Sequence, residues 1–170
     1  MTLRRTGYYL TAIAASLAMA GQAHATACLN TQEVAAEQVR LLQTQMMVGA
    51  LQCRGQSDRG QRVIYNRFIK AYGPELIASN DTLIAYFQRA YGAGYQRQMD
   101  SHITAMANRI SLESQKIGNF CGKIANLGEQ VLADKTQTDL QEIATAAPLS
   151  KTLSSQSCVA DPLGQVISTD

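Results

Sequence analysis

NTQEVAAEQVRLLQTQMMVGALQC, residues 30–53, is the stretch whose reading decides the fold. Asn30 stands three residues before Glu33, the spacing at which each side chain can reach the other's backbone N–H as a helix capping box. No proline interrupts the 22 residues that follow. Ala35, Val39, Leu42, Met46, Gly49 and Cys53 recur at alternating spacings of four and three, which puts them on one helical face. Arg40, Gln43 and Gln45 lie off that face. The spacing predicts a helix over 31–52, about 33 Å long at 1.5 Å per residue.

Downstream, Arg54-Gly-Gln-Ser-Asp-Arg-Gly60 reads as a loop. A helix over 60–72 would bury Ile64, Phe68 and Tyr72, and Gly73-Pro74 would end or kink it. Pro74-Glu75-Leu76 can add a turn. Asn80 or Asp81 then caps a short helix over 82–91. Gly92-Ala93-Gly94 either kinks or reverses the chain. A long helix over 95–116 follows, with Tyr95, Met99, His102, Met106 and Ile110 inward. Phe120, Ile124, Leu127 and Val131 mark another over 119–134, and 138–146 can form one or two turns. No strand pattern stands out. Lys70-Ala-Tyr-Gly73 is echoed by Arg89-Ala-Tyr-Gly92, with Phe68 and Phe87 aligned. Both read as similar helix endings, a cation near the C-terminal dipole and then glycine.

Upstream, residues 1–25 have the form of a secretory signal peptide. Arg4 and Arg5 lead, Tyr8 to Ala20 is apolar, and Ala23-His24-Ala25 is a small-x-small cleavage site. The apolar run is shorter than the ~20 residues that span a bilayer. Ala25-Thr26-Ala27 before Cys28 lacks the leucine usual in a lipidation site. Cleavage after Ala25 would leave about 145 residues, one domain's worth. It would also leave 13 Lys and Arg against 13 Asp and Glu, so no global charge favours nucleic acid or an anionic membrane. The expected product is an all-α protein: a signal at 1–25, a small helical bundle over 26–147, and a Ser-rich flexible tail over 148–170 tethered by Cys158. It would be periplasmic or secreted and not membrane-spanning once cleaved.

Cys28, Cys53, Cys121 and Cys158 are the cysteines. Behind an export signal they predict two disulfides. Cys28 and Cys53 bracket the first helix, and disulfide Cα atoms lie within about 7 Å, so these two cannot pair. Two arrangements remain. Cys53–Cys121 with Cys28–Cys158 keeps the chain ends together and follows if Gly92–Gly94 only kinks the chain. Cys28–Cys121 with Cys53–Cys158 follows if the glycines reverse it.

Little in the sequence carries catalysis. Beyond the leader, His102 is the one histidine. It sits between Met99 and Met106 and reads as a core or boundary residue, so a Ser-His-Asp triad or a His-rich zinc site has no basis. The cysteines lack the CxxC spacing of redox enzymes. Met46, Met99 and Met106 fit core stripes better than a copper site. No cofactor or metal is expected. Gly118 and Gly122, four apart, could allow a close helix contact.

Two surfaces stand out instead. Arg54, Arg59, Arg62, Arg67 and Lys70 form a basic stretch suited to an envelope protein partner or an anionic surface. Tyr86, Tyr91 and Tyr95 belong to a tyrosine cluster, with Tyr65 and Tyr72, that suits an interface or the edge of a bundle.

Several segments resemble a set of small exported proteins of alphaproteobacteria with no known activity. They are Val39 to Thr44, Ala50 to Cys53, Tyr65 to Phe68, Tyr86 to Gly92, Ala107-Asn108 and Phe120-Cys121. The resemblance spans roughly 28–125 and implies no functional residues. The expected function is a non-enzymatic interaction, structural or chaperone-like role in the envelope. The alternative is a small-ligand binder using Tyr86, Tyr91, Tyr95 and Met99.

Overall fold

The computed structural model describes residues 28–53, 58–133, 139–146, 158–160 and 166–168. The expected leader, Arg54 and most of 148–170 lie outside these residues, as do the side chains of Arg59 and Cys158.

The described chain is built from helices. α1 spans Thr31–Gln52, α2 Asp58–Ala71, α3 Gly73–Tyr91, α4 Tyr95–Ser114, α5 Phe120–Ala133 and α6 Leu140–Ala146. The Asn30–Glu33 capping box forms as expected: Glu33 N–H donates to Asn30 Oδ1 at 3.0 Å and Asn30 N–H to Glu33 Oε2 at 2.8 Å.

α1 is the axis of the bundle, with α2, α3, α4, α5 and α6 all packed against it. The single apolar face read from the sequence is therefore only half of its burial. Val39, Leu42, Met46, Gly49 and Cys53 do face inward, but so do Glu33, Glu37, Thr44 and Gln45. A helix surrounded by partners is buried on more than one side. Position in the bundle overrides the polarity that placed Gln45 outside.

α2 and α3 form one descending leg beside α1. Tyr65 lies beside Arg40 and Gln43 at the middle of α1, Arg40 meets Asn80, and Glu33 meets Arg89 near the start of α1. Gly73-Pro74 does mark the end of α2, at Ala71, as expected, and it starts α3 at once. Proline is tolerated in a first helical turn because its missing N–H would have no partner there. Pro74 occupies that place, and α3 runs unbroken through Asn80 and Asp81, which cap nothing. The two Ala-Tyr-Gly echoes part company here: Tyr72 is buried and donates to Val131 O at 2.6 Å, whereas Tyr91 is exposed.

The chain turns back at Gly92–Gly94, a single 3-10 turn. Gly92 has φ 54 and ψ −130, a conformation open to glycine and strained for other residues. α4 then rises parallel to α1, with His102 beside Glu37 and Ser114 beside Gln52. The glycines therefore reverse the chain, yet reversal brings Cys121 to Cys53, not to Cys28. Because α2 and α3 descend together, a reversal is what returns the chain to the far end of α1. Cys53 and Cys121 are bonded with Cα atoms 5.5 Å apart. The pairing of Cys28 with Cys121 and Cys53 with Cys158 is thereby overturned. Cys28 is disulfide-bonded as well.

α5 descends from the bridge between α1 and α2. A Cβ on Gly49 would lie 2.4 Å from Ile124 Cγ2, and one on Gly128 2.3 Å from Ile64 Cγ2. These, not Gly118 and Gly122, are the close-approach glycines. Gly118 faces open space, and the atoms nearest a Cβ on Gly122 belong to the side chain of Asn119, three residues before it. Beyond α6, Cys158–Ala160 (β1) pairs antiparallel with Val166–Ser168 (β2), with Val159 opposite Ile167. The tail thus holds two strands that the sequence reading missed. At three residues each they are too short for a period-2 pattern to show.

Gly49→Ala is expected to destabilise the fold by about 1–3 kcal/mol, because fully buried Ile124 has nowhere to move. Gly118→Ala is the control and should leave the denaturation midpoint unchanged or slightly raised. Removing the Cys53–Cys121 bridge, which closes a 68-residue span, is expected to cost about 4 kcal/mol in the loop-entropy model. Chemical denaturation of a Cys53→Ser/Cys121→Ser variant measures it.

Candidate functional site

Glu33, Glu37, Arg40 and Thr44 stand four, three and four residues apart on α1. That spacing makes a polar seam opposite the Val39-Leu42-Met46 face. The apolar face packs on α2, α5 and α6 in the main core with Ile64, Phe68, Ile124, Leu127, Val131, Leu140 and Ala144. The polar seam meets α3 and α4, whose apolar residues form a second cluster of Leu83, Phe87 and Met99 around Ala36.

Each ionisable group in the seam has a partner. The Glu33 carboxylate is buried and accepts two hydrogen bonds from the Arg89 guanidinium, one of 2.8 Å. Arg89 also donates to Cys28 O at 3.3 Å and lies 5.5 Å from the centre of the Tyr86 ring. This pairing holds the Glu33 carboxyl below its usual range, with the Arg89 hydrogen bond outweighing burial, and raises Arg89. Glu37, equally buried, lies 2.6 Å from His102 Nε2. That hydrogen bond raises the imidazole's pKa against the opposing effects of burial and of Arg109. Arg40 meets Asn80 Oδ1 and donates to Gln43 Oε1 at 2.9 Å. Burial lowers its pKa, countered chiefly by Glu37. Thr44 Oγ1 donates to Arg40 O at 2.8 Å.

The expected tyrosine cluster divides. Tyr65 and Tyr72 belong to the main core, while Tyr86, Tyr91 and Tyr95 gather at the α3–α4 turn. Phe87 is the hub there, stacked on Tyr91 at 5.7 Å, edge-on to Tyr86 at 5.0 Å and 5.5 Å from His102. Burial, then the neighbouring Tyr91 and Glu33, push the Tyr86 phenol up to about 12. Met99 is buried in this cluster, and Met46 and Met106 in the main one. Among the described residues, no three His, Cys, Asp or Glu side chains gather as metal ligands would.

Of the basic stretch, Arg62, Arg67 and Lys70 project into solvent from α2. The structure does not bring them to the tyrosines; the two surfaces lie on different helices. The sequence reading treated Glu33 only as a cap and Arg89 only as a dipole partner, and it left Glu37 unremarked. Two glutamates four apart, extended by Arg40 and Thr44 at helical spacing, were the available signal for a second buried face. Comparison of the chain with protein-family models, with curated proteins and with solved structures returns no match. No helix among the described residues is long and apolar enough to cross a membrane.

The seam makes stability depend on pH in two directions. His102, raised in the fold, contributes fully below its unfolded value of about 6.5 and loses that contribution as pH rises through the folded value. Glu33, lowered in the fold, contributes above the ordinary carboxylate range and loses its share as pH falls through the folded value. His102→Gln is therefore expected to destabilise by about 1 kcal/mol near pH 5.5, with screening at a 37% exposed side chain allowed for. The deficit should shrink steadily towards pH 9. Urea titrations at three pH values measure this, and a pH-independent deficit would show that His102 acts by packing alone.

Proposed function

We propose that the protein is an exported, non-enzymatic envelope protein that works through its surface. The observation that carries this reading is how its charges are distributed. Glu33, Glu37, Arg89 and His102, the groups with chemistry to offer, are engaged with one another in docking α3 and α4 onto α1. Arg62, Arg67 and Lys70 are exposed and make no ion pair with any described residue. The basic face of α2 is the contact surface in this reading, and the exposed Tyr91 at the α3–α4 turn is a second.

The cysteines support the export reading. A Cys53–Cys121 bridge suits an oxidising compartment, which agrees with residues 1–25 acting as a signal peptide and with a periplasmic or secreted product. Cys28 is bonded and Cys53 and Cys121 are bonded to each other. Cys158 is then the partner assigned to Cys28, tethering the tail.

In-cell crosslinking separates the two surfaces. Arg62→Glu/Arg67→Glu/Lys70→Glu should remove most crosslinked species and Tyr91→Ala a different, smaller set. Undiminished crosslinking in both variants would sink the surface reading. A small-ligand role at Tyr86, Tyr91, Tyr95 and Met99 is favoured by one observation, the exposed Tyr91 ring stacked on Phe87. A ligand there would raise the melting temperature in a thermal-shift screen, and Tyr91→Ala would abolish the rise.

A further inference from the structure

We infer that the exposed face of α2 adsorbs to anionic phospholipid headgroups. This rests on the reading of that face as a contact surface and names its partner.

Arg62, Val63, Asn66, Arg67 and Lys70 are the exposed residues between Gln61 and Ala71, and no acidic residue occurs in that interval. Arg62, Asn66 and Lys70 follow one another at spacings of four, with Val63 and Arg67 alongside in the next column, so they share one side of the helix. Ile64, Phe68 and Gln61 are buried on the opposite side, so the helix is fixed in rotation and the cations cannot turn inward. The ion pairs among the described residues, Glu33–Arg89 and Glu37–His102, lie on other helices. Carboxylates on the elements packed against α2, such as Glu75 of α3 and Glu129 of α5, make no ion pair with the stripe.

The composition of the face selects the class of partner. Protein interfaces concentrate their energy in aromatic anchors seated in a dry centre from which charge is depleted. This face has cations across its width, no aromatic residue, and Val63 as its one exposed large apolar side chain. A headgroup layer asks for nothing more than cations held within a Debye length of it, each adding roughly fivefold to binding. The arginine and lysine stems can lie along Val63 while their charges reach outward.

The test is co-sedimentation of the oxidised full-length mature chain with vesicles of equal parts phosphatidylglycerol and phosphatidylcholine, and with pure phosphatidylcholine. Binding is expected to the first only, weakened at high salt, and reduced about tenfold or more in Arg62→Gln/Arg67→Gln/Lys70→Gln. Arg97→Gln/Arg109→Gln, two exposed positions on α4, should bind as the parent does. Unchanged helicity of both variants by circular dichroism keeps the comparison one of surface charge. Equal sedimentation with both vesicle types, or an unaffected triple variant, overturns the inference. So does retention on polyglutamate beads without vesicle binding, which would assign the face to an acidic polypeptide. Loss of crosslinking in cells without vesicle binding likewise removes the lipid assignment, while leaving the contact-surface reading standing.

Discussion

The structure depends on α1 being buried along two opposite faces of different chemistry. Val39, Leu42 and Met46 contribute hydrophobic burial against α2, α5 and α6. Glu33 and Glu37 are buried on the other face, with Arg40 half-buried beside them. Burying an ionised group without a partner is costly, so the second face constrains what packs on it. α3 must supply Arg89 and Asn80 at the right heights, and α4 must supply His102. The apolar face constrains its neighbours by close packing, as where Gly49 meets Ile124. The polar face constrains them by partner, and it sets the register of the α3–α4 hairpin against the axis.

Two backbone features serve that constraint. Pro74 starts α3 where a proline costs no hydrogen bond, so the leg that began with α2 continues down α1 as far as Glu33. Gly92 then takes a positive φ to reverse the chain sharply, which lets α4 return along the same seam. The return carries Phe120 and Cys121 to the end of α1, where the bridge to Cys53 joins the two ends of the long excursion. Gly49 and Gly128 let α5 descend in close contact with α1 and α2. The disulfide and the seam lie at opposite ends of α1, so each fixes a part of the bundle that the other cannot reach.

This division also bears on function. Glu37 with His102, and Glu33 with Arg89, hold the helices together. The cations of α2 are held away from this network by Ile64 and Phe68, whose burial turns Arg62, Arg67 and Lys70 outward. The cations of α2 thus lie outside the seam. Changes to α2's surface can be made without disturbing the seam.

The helical class, the capping of α1, the approximate helix positions and the orientation of α2 were legible in the residues themselves. Each depends on local spacing or on a short-range contact such as Asn30 with Glu33. The interior role of Glu37 and Gln45, the continuity of α3 through Asn80 and Asp81, and the choice of Gly49 over Gly118 for close packing were not legible. Each depends on which helix arrives alongside, a long-range contact that no periodicity encodes. The cysteines lie between these cases. Helix length alone excluded Cys28–Cys53, because a rigid rod keeps its ends apart. Which remaining partner Cys53 takes was decided only when α2 and α3 descended as one leg and the reversal at Gly92 returned α4 to the far end of α1.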